Sequence, residues 1–148
     1  MVSIPRAIYA AMLAHLRAAY PNEGCGVLAG DGTTPLATRH FPARNAATDA
    51  ETFSIIAPDE LIQIWNAIDG ADEDVLAYYH SHPQTQAYPS SRDIRYAQGW
   101  PGAYSIITSF AEVDHPVMRA YLIHGDSVTE TALNIIDEEV STDGASAV

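Results

Sequence analysis

Apolar residues recur at helical spacing near the start of the chain, at Ile4, Ile8, Met12, Leu13, Leu16 and Tyr20. Residues three and four apart share one helix face, so this stripe predicts a first helix, with Ser3 placed to cap it and Pro5 tolerated in its first turn. Pro21-Asn22 ends it. The short apolar run Cys25-Gly26-Val27-Leu28-Ala29 before Gly30-Asp31-Gly32 then reads as a strand running into a turn, with Glu23 at its mouth. Residues 34–41 and 51–57 read as two further strands around a loop at Asn45-Ala46-Ala47. Pro58-Asp59 opens a second helix whose stripe is Leu61, Ile64, Trp65 and Ile68, with Gly70 at its end.

Val75-Leu76-Ala77-Tyr78-Tyr79 is a continuous apolar run of strand length, the pattern of a strand covered on both faces, and it leads directly into His80-Ser81-His82-Pro83. After a loop, residues 90–98 predict a short helix stopped by Gly99. Strands follow near 103–110, 117–123 and 127–136, joined by turns at Asp114-His115-Pro116 and His124-Gly125-Asp126. Interleaved helices and strands ending in hairpins predict a mixed sheet flanked by helices, an α/β or α+β sandwich. Residues 138–148 are small, polar and acidic and read as a flexible tail, leaving one domain over 1–137.

At 148 residues, 47% hydrophobic and 18% charged, the chain has the size and composition of one globular domain. Nineteen acidic residues against seven arginines, and no lysine, give a net charge of −12. That balance repels phosphate backbones and argues against nucleic-acid and anionic-membrane partners. No apolar run approaches the roughly 20 residues that span a bilayer, and the N-terminus lacks a basic stretch before an apolar core, so a cytoplasmic location is expected. The single cysteine, Cys25, excludes an internal disulfide and any multi-cysteine zinc site. It falls between glycines on a core strand, where a small buried hydrophobe is the common use, so no thiol-protease role is expected of it. His15, His40, His115 and His124 have no partner at ligand spacing and read as surface or turn residues, and Trp65, Tyr78 and Tyr79 read as core.

His80 and His82, two apart on a strand, project to the same side about 6 to 7 Å apart at the backbone, so two imidazoles can share one metal. Asp93, eleven positions after His82, can supply a third ligand from another element. Three protein ligands and an open position make a catalytic zinc site. Taken singly, each part has a plainer reading: a His-x-His can be a solvated pair, and Ser90-Ser91-Arg92-Asp93 resembles a helix capping box.

The joint pattern is another matter. A distant Glu23, then His80-Ser81-His82-Pro83, then Ser90 and Asp93 with seven residues between His82 and Ser90, resembles the signature of the JAMM/MPN-plus zinc metalloproteases. Asn22-Glu23-Gly24-Cys25-Gly26-Val27-Leu28-Ala29-Gly30 is similar to the glutamate-bearing strand of the family's bacterial and archaeal members. The resemblance implies a cytidine-deaminase-like three-layer α/β/α sandwich around a mixed sheet, one Zn2+ per chain on His80, His82 and Asp93, Glu23 handling the protons and Ser90 stabilising the oxyanion. A chain this short is similar to the stand-alone prokaryotic branch, which acts on small β-grasp ubiquitin-like or sulfur-carrier proteins ending in Gly-Gly. Release of cysteine and isopeptide deconjugation are both in that repertoire. The alternatives are a non-catalytic MPN scaffold, whose members typically lose metal ligands, and another JAMM hydrolase such as a phage-tail cell-wall peptidase. A nucleobase deaminase would need Pro-Cys-x-x-Cys. The oligomeric state stays open, a homodimer included.

Overall fold

Between Cys25 and Gly30 the chain runs as strand β2, and between Asp74 and His82 as β4; the two pair antiparallel, with Cys25 opposite His80 and Gly26 opposite Tyr79. Side chains alternate across a strand, and these strands sort their residues accordingly. Leu28, Ala77 and Tyr79 enter one core, whereas Cys25, Val27, Ala29 and Tyr78 enter another on the opposite face. The first core is closed by Met12 and Leu16 of α1 (Arg6–Ala19) and by Val2 and Ile4 of β1 (Val2–Pro5). The second is closed by Ile64 and Ile68 of α2 (Pro58–Gly70) and by Ala97 of α3 (Ser91–Ala97). Helices therefore cover both faces of the sheet, the three-layer α/β/α arrangement. This is a computed structural model that describes residues 1–137; the expected tail at 138–148 lies outside the described residues.

The main sheet has six strands in the order β3-β2-β4-β5-β6-β7, with β3 at Arg39–Ala43, β5 at Tyr104–Ser109, β6 at Val117–His124 and β7 at Ser127–Thr131. Only β4 and β5 run parallel among these neighbours. Parallel strands need a crossover, and α3 is part of it. The crossover leaves from the C-terminal end of β4, which is where ligand sites form in open α/β sheets. No helix among the described residues is long and apolar enough to cross a membrane.

The structure departs from the sequence pattern in several places. Ser3 does not cap α1: residues 2–5 form β1, parallel to β8 (Leu133–Ile136), and Pro5 occupies the cap position with no side-chain bond. The residue before a proline is pushed toward extended backbone, and the second strand is there to pair with it. The single strand expected over 127–136 is accordingly split, β7 staying in the main sheet and β8 leaving it for β1. Residues 51–57 form no strand, only the bridge between Asn45 and Ile56. Asn45 takes over the hydrogen bonds of that segment, its Oδ1 accepting from the Ala47 and Ile55 N–H groups at 2.9 and 3.1 Å and its Nδ2 donating to the Phe53 carbonyl at 2.9 Å. Side chains of this type compete with ladders for backbone groups. Trp65, read as core, is 44% exposed and leans edge-on against Trp100. His15 and His40 are half-buried with partners, His15 Nε2 near the Cys25 and Ala43 carbonyls and His40 Nε2 2.6 Å from the Tyr79 hydroxyl.

The glycine between Cys25 and Val27 has a steric cause. A Cβ on Gly26 would stand 2.5 Å from the ring of Tyr79, its neighbour across the ladder, and Tyr79 is fully buried with its hydroxyl tied to His40. The ring has nowhere to retreat. Gly26→Ala is therefore expected to cost about 1–3 kcal/mol through overpacking, read as a lower urea midpoint with an unchanged slope; a midpoint equal to wild type would show that Tyr79 yields freely.

Candidate active site

The alternation that sorts the cores also aims the site. His80 and His82 share the parity of Tyr78, the α2/α3 face, and both are buried at the end of β4. Ring stacking holds His80 against Tyr78, with planes 8° apart. Glu23, two residues before Cys25 and 3% exposed, approaches from the next strand over. Ser81, of opposite parity, ties that approach down: its Oγ accepts from the Gly24 N–H at 2.9 Å, and its N–H donates to the Gly24 carbonyl at 3.1 Å. Asn45 Nδ2 donates to the Glu23 carbonyl at 2.9 Å.

Asp93 comes from the first turn of α3. Ser90 is the N-cap and the reciprocal capping box is formed, the Ser90 Oγ accepting from the Asp93 N–H at 3.1 Å and the Asp93 Oδ2 accepting from the Ser90 N–H at 2.9 Å. The same Oδ2 lies 3.2 Å from His80 Nε2 and 3.0 Å from His82 Nε2, and the two Nε2 atoms are 3.2 Å apart. Cap and donor set are thus one arrangement. Ligand atoms of Glu23, His80 and His82 all fall within 4.8 Å of one another, a group that could hold a metal ion.

A loop joins His82 to Ser90, and three of its successive carbonyls are each held by a side chain. Ser109 Oγ donates to the Thr85 carbonyl at 2.6 Å, His82 Nδ1 lies 2.8 Å from the Gln86 carbonyl, and the Tyr121 hydroxyl donates to the Ala87 carbonyl. The Gln86 bond has a chemical consequence: it keeps the proton of a neutral His82 on Nδ1 and leaves Nε2 with its lone pair toward Asp93 and His80.

The spacing of His80 Nε2, His82 Nε2 and Asp93 Oδ2 suits an ion. Donors about 2.0–2.1 Å from one tetrahedral zinc stand about 3.3 Å apart, close to the 3.0–3.2 Å found. Glu23 Oε1 is buried and has no hydrogen-bond partner among the described residues. A pocket of about 240 Å³ opens at the site, lined by Glu23, His82 and Ser90 together with Glu51, Thr52, Gln84 and Thr85.

Electrostatics separates the carboxyl groups. Burial pushes the Glu23 carboxyl up to about 7, against the opposing pull of the His80 and His82 charges. Burial would also raise Asp93, but hydrogen bonds from His80 and His82 outweigh it and hold Asp93 far below the usual carboxylate range. For His82, burial favours the neutral ring, and the bonds to Asp93 and the Gln86 carbonyl overcome it and raise its pKa. Burial, with Glu60 and Glu23 adding to it, drives the Cys25 thiol up to about 12, so it stays protonated near neutrality.

All five residues singled out in the sequence, Glu23, His80, His82, Ser90 and Asp93, meet at this one place. Sequence reasoning missed Ser81, Asn45 and the Gln86 carbonyl. The role of Ser81 was readable from alternation, since a residue between two inward histidines must face the other way, and Asn45-Ala46-Ala47 carries an Asx-turn signal. Gln86 carries none.

Residues 5–124 match the family described as prokaryotic homologs of the JAB domain, Prok-JAB. The chain is 37% identical over 128 residues to the CysO-cysteine peptidase of Mycobacterium tuberculosis (strain ATCC 25618 / H37Rv), covering 86% of each chain. It is 38% identical over 89 residues to the desampylase of Haloferax volcanii, a match covering 60% of this chain and 63% of that protein. The solution structure of protein DSY2949 from Desulfitobacterium hafniense superimposes with a TM-score of 0.82 at 35% identity, over 93% of this chain and 94% of that one. The matched span contains the signature glutamate, both histidines, the serine and the aspartate, and the chain belongs to the prokaryotic JAB-domain family, the JAMM/MPN-type group that its own signature residues resemble.

Proposed function

We propose that the protein is a zinc-dependent peptidase or isopeptidase that hydrolyses the bond after the C-terminal Gly-Gly of a small ubiquitin-like or sulfur-carrier protein. The observation that carries the proposal is the meeting of His80 Nε2, His82 Nε2 and Asp93 Oδ2 within 3.2 Å, beside the buried carboxyl of Glu23, in a member of this family. Relatives named CysO-cysteine peptidase and desampylase support the class of substrate.

His80, His82 and Asp93 are the residues that would hold the zinc. When bound, zinc supplies Lewis acidity and brings the pKa of water at the site toward neutrality. Glu23, buried with a carboxylate oxygen within 4.8 Å of ligand atoms of His80 and His82, is placed to take the proton of the attacking water and pass it to the departing amine. The Ser90 Oγ accepts from the Asp93 N–H in the cap, so its own O–H remains to donate to the carbonyl oxygen as negative charge develops there. A tail without side chains would enter the pocket lined by Glu23, His82 and Ser90 in extended form and pair through its main chain. The folded body of the carrier would add binding energy remote from the reacting bond.

The purified protein should carry about one zinc per chain by elemental analysis, and the His80→Ala/His82→Ala double variant should carry none; undiminished zinc in that variant would exclude this ligand set. Glu23→Gln should keep zinc and fold but lose most turnover, while Cys25→Ser stays active. If Glu23→Gln were as fast as wild type and Cys25→Ser dead, a thiol mechanism would replace this one.

Burial of Glu23 also gives a stability signature in the metal-free protein. Its carboxyl has a raised pKa when folded, from 4.5 to about 7, so its contribution is fully present below the lower value and is lost as pH rises through the higher one. The loss amounts to about 3 kcal/mol at most. Metal-free Glu23→Gln should therefore melt higher than metal-free wild type near about pH 8, with the gap closing toward about pH 5. A gap independent of pH would mean that Glu23 is not strained by its burial.

Substrate class is tested with carrier proteins ending in Gly-Gly-cysteine or bearing a Gly-Gly-lysine isopeptide, following the products by mass spectrometry. Cleavage after Gly-Gly by the zinc form, absent with chelator, is the expected outcome. A free tail peptide should be cut far more slowly than the same tail on its carrier. Efficient cleavage of unrelated unfolded peptides with both carriers intact would defeat the assignment.

A further inference from the structure

Arg92 sits one residue before Asp93 in the first turn of α3, and the proposed chemistry gives it no task. Its guanidinium pairs with the Asp49 carboxylate and lies 3.9 Å from the centre of the Phe53 ring. Both partners belong to the segment 49–53, which is neither strand nor helix. A planar guanidinium can serve a carboxylate with its edge and an aromatic ring with its face at once, which an ammonium cannot. Tyr96, one turn further along α3, meets the same segment: its ring stands edge-on to Phe53 at 6.0 Å between centroids, and its hydroxyl accepts from the Ile56 N–H at 3.2 Å.

The same segment reaches Glu23, whose N–H donates to the Ala50 carbonyl at 2.7 Å. Strand β2 begins only at Cys25, so no sheet ladder holds the Glu23 N–H. The path therefore runs from the helix carrying Asp93, through Arg92, to the turn that fixes the backbone of Glu23.

We infer that Arg92 is a positioning residue: by clamping Asp49 and Phe53 to α3, it sets the reach of Glu23 toward His80, His82 and Asp93. The kinetic half of this inference rests on the peptidase reading; the mechanical half does not. The ion pair is partly exposed, so its loss leaves the global fold intact.

The test uses zinc-loaded full chain as Arg92→Ala, Asp49→Ala, the double variant and Arg92→Lys, measuring zinc content, amide hydrogen exchange, kcat and KM. In both alanine variants the Glu23, Thr52 and Phe53 amides should exchange about tenfold faster or more, with the Ile106 and Ile107 amides of β5 unchanged and zinc retained. The kcat should fall about tenfold or more, since small misplacement of a reacting group is costly. The double variant should be no worse than the poorer single, because the two residues act as one unit. Arg92→Lys, which keeps charge without the flat face, should recover only part of the loss. Unchanged exchange at Glu23 would overturn the inference. So would faster exchange with wild-type kcat and KM, or losses that add in the double variant. Should wild type cleave no carrier at all, the peptidase reading fails, and exchange at Glu23 still decides the clamp.

Discussion

Two imidazole nitrogens and one carboxylate oxygen stand within 3.0–3.2 Å of one another on side chains almost wholly removed from water. Such a cluster is costly unless something binds its lone pairs, since buried polar groups that face each other without a shared proton or ion repel. The surrounding fold can be understood as the means of holding it together. Strand alternation puts His80 and His82 on one face, the parallel pairing of β4 and β5 requires a crossover, and that crossover carries α3, which packs on the same face. Asp93 then faces the histidines from the first turn of that helix.

The start of that helix serves two purposes through one atom. Asp93 Oδ2 closes the capping box by accepting from Ser90 and at the same time faces both imidazoles. An N-cap normally satisfies orphan N–H groups at a helix start. Here it also fixes the carboxylate's rotamer, so an ion would meet a donor already in place. The carbonyls held by Ser109, His82 and Tyr121 do the same for the intervening loop.

What the sequence made legible follows from these causes. Glu23, His80, His82, Ser90 and Asp93 could be found because strand period and helix capping are short-range rules, and the family signature binds them into one pattern. The helices at 6–19 and 58–70 and the apolar β4 were equally readable from local periodicity. The errors fell where a distant partner decides. Residues 2–5 become a strand because residues 133–136 lie alongside on one edge and Leu36 bridges Ser3 on the other. Residues 51–57 fail to become one because Asn45 claims their backbone groups. His15 and His40 have no ligand spacing, but α1 and β3 bring them against the Cys25 carbonyl and the Tyr79 hydroxyl. Trp65 lies on an apolar stripe wider than the surface available to cover it, so Ile64 and Ile68 are buried while the indole stays at the rim.

One cause, burial, acts on two neighbouring groups with opposite chemical results. Glu23 and Cys25 are two residues apart at the entry to β2, and withdrawal from water favours the uncharged form of each. A carboxyl starts low, so the rise brings it to about 7, where it can accept and release a proton near neutrality. A thiol starts higher, and the same rise takes it to about 12, where it remains protonated and unreactive. The imidazoles temper the effect for Glu23 by favouring its charged form, whereas the acids near Cys25 reinforce it. No separate device is needed to silence the cysteine beside a site rich in proton carriers. The environment that readies the glutamate does so by itself.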